Sequence, residues 1–262
     1  MGHFSRSTRQ RIEAGGLALG YFASRLRSTE AVAIAAAADF DWIFLDCELT
    51  TVTLDEIAQI SLAAHYAGIA TLVRTPRMQT ELAGKVLGLG AGGVIFPQVE
   101  TVAEARAIVE ACRLPPIGRR SPAYSNHLNH FGRIPQSEAG ADQGAFIGVM
   151  VETAAGVANA GQLARIEGVD LVMVGTHDLA ADLGASGHEA REVIEAIIHV
   201  AETARSAGKR SGFGGLSDTV KIAAAVKAGA QIILGSTDIA YIVKGAREQA
   251  AGLRRLEQPP KP

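Results

Sequence analysis

Two stretches of the sequence end an apolar run with ionisable side chains. The stretch IFLDCELT (43–50) places Asp46 and Glu48 after a run of apolar residues, and VMVGTHDL (172–179) does the same with His177 and Asp178. Carboxylates hold divalent cations in enzymes, and carboxylates and imidazoles also transfer protons. A short apolar run rich in Val, Ile and Leu is typical of a buried strand, so these residues are predicted to follow strands.

Other apolar runs end in the same way, with polar side chains at Arg74, Gln98, Glu100, Glu152 and Asp238. Glu152 and Asp178 follow neighbouring strands, which lie about 4.8 Å apart in a sheet. Both carboxylates can therefore reach one hard cation, either Mg²⁺ or Mn²⁺, and Co²⁺ is also compatible. Such a cation would polarise a substrate carbonyl, and Arg74 could bind an oxyanion or a carboxylate.

Eight strands are predicted to position these side chains, at residues 17–22, 42–47, 71–75, 93–98, 146–152, 171–176, 210–215 and 231–236. The segments between them carry apolar residues three and four positions apart, which is typical of helices. Eight strand–helix units in about 240 residues favour an α/β fold, a single-domain (β/α)8 TIM barrel, in which all strands end at one mouth. We predict that the barrel spans residues 1–251 and that 252–262 form a disordered tail.

The composition argues against several classes of protein. A formal net charge of -2 over 262 residues provides no dominant basic face for nucleic acid. No apolar run approaches the roughly 20 residues that span a membrane, and no secretory signal follows the charged stretch SRSTRQRIE. Cys47 and Cys112 lack the spacing of a metal site and fit a reducing compartment. We expect a cytoplasmic enzyme that acts on a small molecule.

Each candidate residue also has an ordinary structural interpretation. An acidic residue after a strand is often the N-cap of the next helix, a role open to Asp178 and, in TLDEIAQI, to Asp55. Asp46 could make a structural hydrogen bond, and Arg74 could pair with a neighbour on the surface. A functional role is favoured because these side chains coincide at one predicted barrel mouth, which indicates a metal-dependent enzyme for a small oxygenated anion.

The same residues carry a resemblance to a known family. From about Gly15 to Ala246, the chain resembles the class II pyruvate aldolases of the HpcH/HpaI type, through FDWIFLDCE, LVRTP, MVETAAGV and GVDLVMVGTHDLAADLG. The resemblance implies a (β/α)8 barrel in a homo-oligomer, a hexamer or another multiple of dimers that exchange the last helix. It also implies that Glu152 and Asp178 bind the metal and that Arg74 stabilises a pyruvate enolate. The implied substrates are 4-hydroxy-2-oxo acids.

The sequence departs from the family where proton transfer is concerned. The family's aldolases read Asp-Gly-Glu-His after the second strand, and their His belongs to the acid/base machinery. Here Leu49 occupies that position, and a leucine cannot carry a proton. Gly88 stands where the family has the Asp that pairs with this His from a neighbouring subunit. The loss of both residues is easier to understand if their task disappeared or moved.

A replacement for the missing base is available in two regions. His177 lies beside a predicted metal ligand and is the candidate that we predict to be catalytic. Tyr124, His127 and His130 belong to the long connection 114–144, which we expect to shape the aldehyde end of the pocket together with residues of a neighbouring subunit. A general base must first lie within reach of the substrate, and a sequence alone does not show this.

Three functions are compatible with this pattern. The leading one is a lyase, an aldolase that acts on a 4-hydroxy-2-oxo acid through a metal-stabilised enolate, with Glu48, Gln98 and Thr176 also contacting the substrate. A 2-oxo diacid decarboxylase or a carbon–carbon hydrolase would use the same metal site without a base for the substrate hydroxyl. A ligand-binding barrel without catalysis would have no need to retain Glu152, Asp178 and Arg74.

Overall fold

The computed structural model describes residues 6–122, 125–133 and 145–256. Its eight parallel strands form a closed barrel in chain order, β1-β2-β3-β4-β5-β6-β7-β8, so the predicted (β/α)8 architecture is confirmed. The strands are β1 (Ala18–Phe22), β2 (Trp42–Asp46), β3 (Ala70–Arg74), β4 (Gly93–Phe96), β5 (Phe146–Val151), β6 (Leu171–Gly175), β7 (Arg210–Gly214) and β8 (Ile232–Thr237).

Ten α-helices are present in the part of the chain that the structure describes. They are α1 (Arg6–Glu13), α2 (Thr29–Ala37), α3 (Leu54–Ala67), α4 (Thr80–Gly88), α5 (Val102–Cys112), α6 (Ala154–Ala164), α7 (Thr176–Asp182), α8 (Arg191–Ser206), α9 (Thr219–Ala228) and α10 (Asp238–Arg254). Their inner faces are small and apolar, which allows them to pack closely on the barrel. None of these helices has both the length and the apolar composition needed to cross a membrane.

The observed strands agree with the predicted ones to within two residues at each end. The largest difference is at β4, which ends at Phe96 rather than at Gln98. Pro97 has no N–H to continue the ladder. Gln98 adopts a left-handed backbone conformation, with φ of 52°, which turns the chain out of the sheet.

The alternation of side chains along each strand decides what points into the barrel. Along β2, Trp42 and Phe44 pack inside the barrel, and Asp46 is the next inward position above them. Along β3, Leu72 is likewise followed by Arg74. Asp46 and Arg74 are register partners, so a carboxylate and a guanidinium lie side by side on top of the apolar interior.

The opposite end of the barrel is closed by α1. Ile12 packs with the interior residues Ala18 and Trp42, and the Gln231 side chain donates a hydrogen bond to the Ile12 carbonyl (2.9 Å). Access to the barrel interior is therefore from the carboxyl ends of the strands.

In two helices the N-cap residue is not the acidic residue that the sequence suggested. The N-cap of α3 is Thr53, whose hydroxyl accepts from the Glu56 N–H while the Glu56 carboxylate accepts from the Thr53 N–H. The prediction that Asp55 caps this helix is therefore wrong, because Asp55 lies one residue inside the first turn. The N-cap of α7 is Gly175, so Asp178 is a first-turn residue of its helix rather than its cap.

The long connection begins at the end of the barrel where the strands start. Asn126 donates a hydrogen bond to the Gly88 carbonyl (2.7 Å) at the end of α4. The buried His127 packs against Gly90 and against His65, with a ring distance of 5.0 Å. His127 thus lies away from the mouth of its own barrel, and His130 is three residues further along the same segment. Tyr124 lies outside the described residues.

The last helix leaves the barrel surface after its first turn, in which Tyr241 stacks on Tyr21 and its hydroxyl accepts a hydrogen bond from the Ser236 N–H (2.8 Å). Asp238 is its only buried residue, whereas Ile239, Ile242, Val243 and Leu253 are exposed. The helix continues to Arg254, so the first three residues of the predicted tail are helical. Residues 257–262 lie outside the described residues.

Asp238 ties the loop after β1 to the end of β8. Its carboxylate accepts hydrogen bonds from the Ser24 hydroxyl (2.6 Å) and from the N–H groups of Arg25 (2.7 Å), Leu26 (2.6 Å) and Ile239 (2.6 Å). Burial opposes ionisation of this carboxyl, but the four hydrogen bonds outweigh burial and lower its pKa. The side chain is thus a structural element of the mouth, and its oxygens are committed to the loop.

We expect Asp238→Asn to lower the free energy of unfolding by roughly 2–3 kcal/mol, because an amide offers one acceptor oxygen in place of two charged ones. Since the pKa of Asp238 is lowered on folding, its stabilising contribution is lost as the pH falls, and the variant should lack this part of the acid dependence. Urea denaturation at several pH values measures both effects. Asp55→Asn is the control, and an equal loss in both variants would contradict the assignment.

Candidate active site

A cavity of about 510 Å³ opens at the carboxyl ends of the strands. It brings together five of the seven predicted site residues, Arg74, Glu152, Thr176, His177 and Asp178. Glu48 reaches the same site through its contact with Arg74. A larger groove of about 1090 Å³ lies on the outer surface between α5 and α6 and contains none of these residues. We therefore assign the chemistry to the smaller cavity.

Arg74 is held by Asp46 in a buried, two-point ion pair. The Arg74 Nε donates to Asp46 Oδ1 (2.8 Å) and Nη2 donates to Oδ2 (2.7 Å), while Asp46 is fully buried. Burial alone would lower the pKa of Arg74, but the hydrogen bonds and charge of Asp46 raise it. Asp46 thus occupies the Nε–H and one N–H of Nη2, and the two N–H groups of Nη1 and the second N–H of Nη2 remain for other partners.

Glu48 is that other partner. Its Oε2 lies 3.1 Å from the Arg74 Nη1, and its carboxylate is partly exposed. Burial raises the pKa of Glu48, Arg74 opposes the shift, and the negative charges of Asp46 and Asp178 add to it. Glu48 is therefore the weakly held member of the cluster, because a competing anion could take its place on Arg74.

Glu152 is a buried carboxylate with little compensation. It is 2% exposed, and its Oε2 accepts a hydrogen bond from the Gln98 N–H (2.8 Å), which the left-handed backbone at Gln98 aims toward it. The pKa of Glu152 is raised to about 7, chiefly by burial and also by the charges of Asp178 and Glu48, while the Gln98 hydrogen bond and the charge of Arg74 oppose the shift. Gln98 contributes this main-chain donor, and its side chain is not among the described residues that line the cavity.

The residues present fit a divalent cation. Glu152 and Asp178 share the cavity, and the charge of Asp178 helps to raise the pKa of Glu152, an effect that a cation bound by both carboxylates would offset. Among the described residues, no group of three or more His, Cys, Asp or Glu side chains is placed to hold a metal ion. Two carboxylates, with the other positions left to water and substrate, suit Mg²⁺ or Mn²⁺ rather than a structural zinc site.

Glycine is required at position 175 by the approach of Glu152. A Cβ at Gly175 would lie 2.2 Å from the Glu152 Oε1, which is far inside van der Waals contact. Gly175 lies at the end of β6, directly before the helix that carries Asp178. The missing side chain therefore provides the space in which the Glu152 carboxylate approaches the end of β6.

His177 lies at the rim of the cavity in a stacked pair with His188. The two rings are 4.2 Å apart and inclined by 18°. Partial burial and the neighbouring His188 lower the pKa of His177, while Asp178 opposes the shift. His188 was missed by the sequence prediction, because it lies in the connection between α7 and α8, ten residues after Asp178. Its only sequence signal is that this connection follows β6.

Thr176 and Leu49 complete the comparison with the sequence prediction. Thr176 lines the cavity, but its hydroxyl donates to the Gly214 carbonyl (2.7 Å) and thereby links β6 to β7. Leu49 also lines the cavity and is 74% exposed, so no proton-carrying side chain stands at this position. Gly88 lies at the opposite end of the barrel from the cavity of its own chain.

Comparison with known proteins is consistent with this geometry. The sequence profile of the HpcH/HpaI aldolase/citrate lyase family matches residues 20–244. The chain belongs to this family. It is 34% identical to a 4-hydroxy-2-oxovalerate aldolase of Rhodococcus jostii, over 79% of this chain and 80% of that protein. It is also 32% identical to a hydroxypyruvate/pyruvate aldolase of Roseovarius nubinhibens, over 93% of this chain and 95% of the relative.

The fold agrees equally well with solved structures of the family. An HpcH/HpaI aldolase from Desulfitobacterium hafniense superposes with a TM-score of 0.86 at 28% identity, over 97% of this chain and 98% of that one. The resemblance stated from the sequence is thus confirmed at the level of family and fold. Aldolases of this family are lyases that depend on a divalent metal, which agrees with the carboxylate pair in the cavity.

We expect Gly175→Ala to weaken binding of Mn²⁺ at least tenfold, because the added methyl displaces the Glu152 carboxylate. Titration of the metal-free protein, followed by electron paramagnetic resonance of free Mn²⁺, measures the affinity. Gly84→Ala is the matched control, since a Cβ there meets nothing within 4 Å. Unchanged Mn²⁺ affinity in Gly175→Ala would contradict a role of Glu152 as a ligand.

The pKa of Glu152 predicts how the metal-free protein responds to pH. Its pKa rises from an ordinary 4.5 to about 7 on folding, so the folded state binds the proton more tightly. Stability in EDTA should therefore fall as the pH rises from about 4.5 to about 7, by at most roughly 3 kcal/mol, and then level off. Glu152→Gln should flatten this part of the profile and abolish the stabilisation by Mg²⁺ or Mn²⁺ at pH 8. An unchanged slope would show that Glu152 ionises normally.

Proposed function

We propose that this chain is a metal-dependent aldolase that cleaves or forms the bond between C3 and C4 of a 4-hydroxy-2-oxo acid, with pyruvate or a close relative as one product. The observation that supports it most directly is the buried Glu152, which shares one cavity with Asp178 and Arg74 and lacks a cationic partner of its own. Membership of the aldolase family supports the same reaction class.

Glu152 and Asp178 would hold the cation, which we propose to be Mg²⁺ or Mn²⁺, with Co²⁺ as a further possibility. When bound there, a divalent cation supplies Lewis-acid polarisation of the 2-oxo group. The protein's own part is to hold both carboxylates at the same cavity. The Gln98 N–H and the absence of a side chain at Gly175 serve this purpose, because they fix the Glu152 carboxylate.

Arg74 would stabilise the negative charge that develops on the substrate. Its Nε and Nη2 are fixed by Asp46, so the guanidinium does not need to be ordered when substrate binds. Its Nη1 makes no hydrogen bond to Asp46, and a substrate oxygen would replace Glu48 there. Glu48 would then return to Arg74 when the product leaves. This exchange is the role that we propose for Glu48 in substrate binding.

His177 is the group that we propose for proton transfer. In cleavage, a base removes the proton of the C4 hydroxyl and the C3–C4 bond breaks. The aldehyde then leaves, and the electron pair passes to C3 as the enolate. Protonation of C3 then yields the methyl group of pyruvate. His177 lies at the cavity rim beside Asp178, whereas the position of the family's usual His is Leu49. His188 would orient the His177 ring by stacking against it.

We also propose that the enzyme acts as a homo-oligomer in the cytoplasm. The exposed apolar residues of α10, Ile239, Ile242, Val243 and Leu253, leave a face that a second subunit would cover, as expected if the last helix is exchanged between subunits. A hexamer or another multiple of dimers would accommodate such an exchange. Cys47 and Cys112 form no disulfide in the part of the chain that the structure describes, which suits a reducing compartment.

The test is exchange of deuterium from D₂O into the methyl group of pyruvate, followed by NMR with Mg²⁺ or Mn²⁺ and with EDTA. We expect exchange that depends on the metal. His177→Ala should slow it at least about a hundredfold, because removal of a general base typically costs that much. His199→Ala is the matched control, since His199 is an exposed residue of α8.

Two outcomes would contradict the proposal at different levels. Metal-dependent exchange that is equally fast in His177→Ala would show that another group transfers the proton. An absence of exchange in a protein with confirmed Mn²⁺ binding would exclude the pyruvate aldolase reaction. It would favour decarboxylation of a 2-oxo diacid or hydrolysis of a carbon–carbon bond at the same cavity.

A further inference from the structure

The cavity has two chemically different sides. Glu152 and Asp178 follow β5 and β6, and the order of strands in the closed barrel places β1 and β2 across from them. From β1 and β2 the cavity is lined by Phe22 and Phe44, and β8 adds Leu234 together with the polar Ser236 and Thr237. Met150 and Met173 line it from β5 and β6. Leu49, from the loop after β2, extends this apolar side at the rim.

The apolar side is a continuous surface. The Phe22 and Phe44 rings meet edge to face, with their centroids 5.0 Å apart. Phe44 and Leu234 are buried and form the floor, whereas Phe22 is half-buried and Leu49 is 74% exposed. An apolar group that entered the cavity would therefore contact Phe22 and Leu49 first.

The charge of the site disfavours a second anionic group on the substrate. Asp46, Glu48, Glu152 and Asp178 provide four carboxylates against the single guanidinium of Arg74. A divalent cation would neutralise two of the three remaining negative charges, before the carboxylate of the 2-oxo acid is added. Among the described residues that line the cavity, the only Lys or Arg is Arg74, and it is already paired.

The remaining polar groups are suited to uncharged oxygen atoms. His177 and His188 stand on the β6 side, and Ser217 and Ser236 lie at the rim of β7 and β8. Hydroxyl and imidazole groups can donate to a carbonyl or hydroxyl oxygen, although the Ser217 hydroxyl already donates to Glu189 (2.8 Å). Among the described residues that line the cavity, no lysine or arginine other than the paired Arg74 accompanies them, so a carboxylate that left water for this rim would meet no lysine or arginine there.

We propose that the aldehyde partner of this site is uncharged and carries an apolar side chain, which lies against Phe22, Leu49 and Leu234 across the barrel from Glu152 and Asp178. This specificity rests on the proposed aldolase function. It singles out Phe22 and Leu49 as the residues that distinguish aldehydes, since Leu49 is largely exposed, Phe22 is half-buried, and neither is one of the two carboxylates proposed to bind the cation.

The test compares two aldehydes of matched shape in aldol addition to pyruvate. In 4-methylpentanal, two methyl groups take the place of the two carboxylate oxygens of succinic semialdehyde. We expect kcat/KM for 4-methylpentanal to exceed that for succinic semialdehyde at least about tenfold. In EDTA, saturation-transfer NMR should detect contact of the 4-methylpentanal methyl groups with the protein, and Phe22→Ala should weaken it.

Two variants at the exposed rim separate charge from shape. Leu49→Lys should shift the ratio of kcat/KM values toward succinic semialdehyde about tenfold or more, because it adds the missing cation. Leu49→Met, which is similar in length but neutral, should change the ratio less than about twofold. Because Leu49 is largely exposed, neither variant should disturb the barrel core.

Exchange of the pyruvate methyl protons without aldehyde is recorded for every protein and reports on the proposed function alone. Normal exchange with a preference for succinic semialdehyde would overturn the specificity and leave the aldolase function standing. Equal use of both aldehydes, with no effect of Leu49→Lys, would also overturn it. If neither exchange nor aldol product is found, the proposed function fails and this inference fails with it.

Discussion

The site depends on one buried ion pair, between Asp46 of β2 and Arg74 of β3. The two residues are register partners in neighbouring strands, and each is the inward position above an apolar side chain. Removing either partner would leave an uncompensated buried charge, which typically costs about 3–5 kcal/mol. Because the pair is placed by the register of the sheet, a slip of one residue would turn both side chains out of the barrel. The position of the Arg74 Nη1 in the cavity is thus a consequence of strand pairing.

On the β5–β6 side of the cavity, the fold holds two carboxylates, Glu152 and Asp178, at the same cavity despite their electrostatic repulsion. Glu152 is buried near Asp178, and the compensation available is one main-chain N–H and the distant charge of Arg74. Two local features of the backbone sustain this arrangement, the left-handed conformation of Gln98 and the missing side chain at Gly175. Holding Glu152 in this way costs free energy in the metal-free protein. A bound cation would offset that cost, because it removes the repulsion between the two carboxylates and requires both of them as ligands. The same arrangement makes the stability of the protein depend on both pH and metal binding.

The sequence predicted the barrel well because its strands and helices are set by local patterns. Buried parallel strands are short, apolar and bounded by turn residues, and these signals carry no dependence on distant contacts. Contacts between side chains on different strands and loops could not be predicted from these local patterns. The position of Arg74 after a strand did not show that its fork binds Asp46, and nothing in the sequence brought His188 to His177. The long connection that carries His127 was expected near the pocket, but its direction depends on packing against Gly90 at the opposite end.

The replacement of the family's His by Leu49 connects the proposed chemistry with the proposed specificity. A His at this position would place a proton-transfer group on the β2 side of the cavity, next to Phe22 and Phe44. With Leu49 there, the imidazoles of the described cavity, His177 and His188, stand on the β6 side, close to Asp178. In the proposed mechanism, proton transfer and cation binding would then share the β5–β6 side of the mouth. Leu49 would extend the apolar surface of Phe22 and Phe44 on the side that also carries Asp46 and Glu48. A single leucine would in this way move the base and also determine which aldehyde the site accepts.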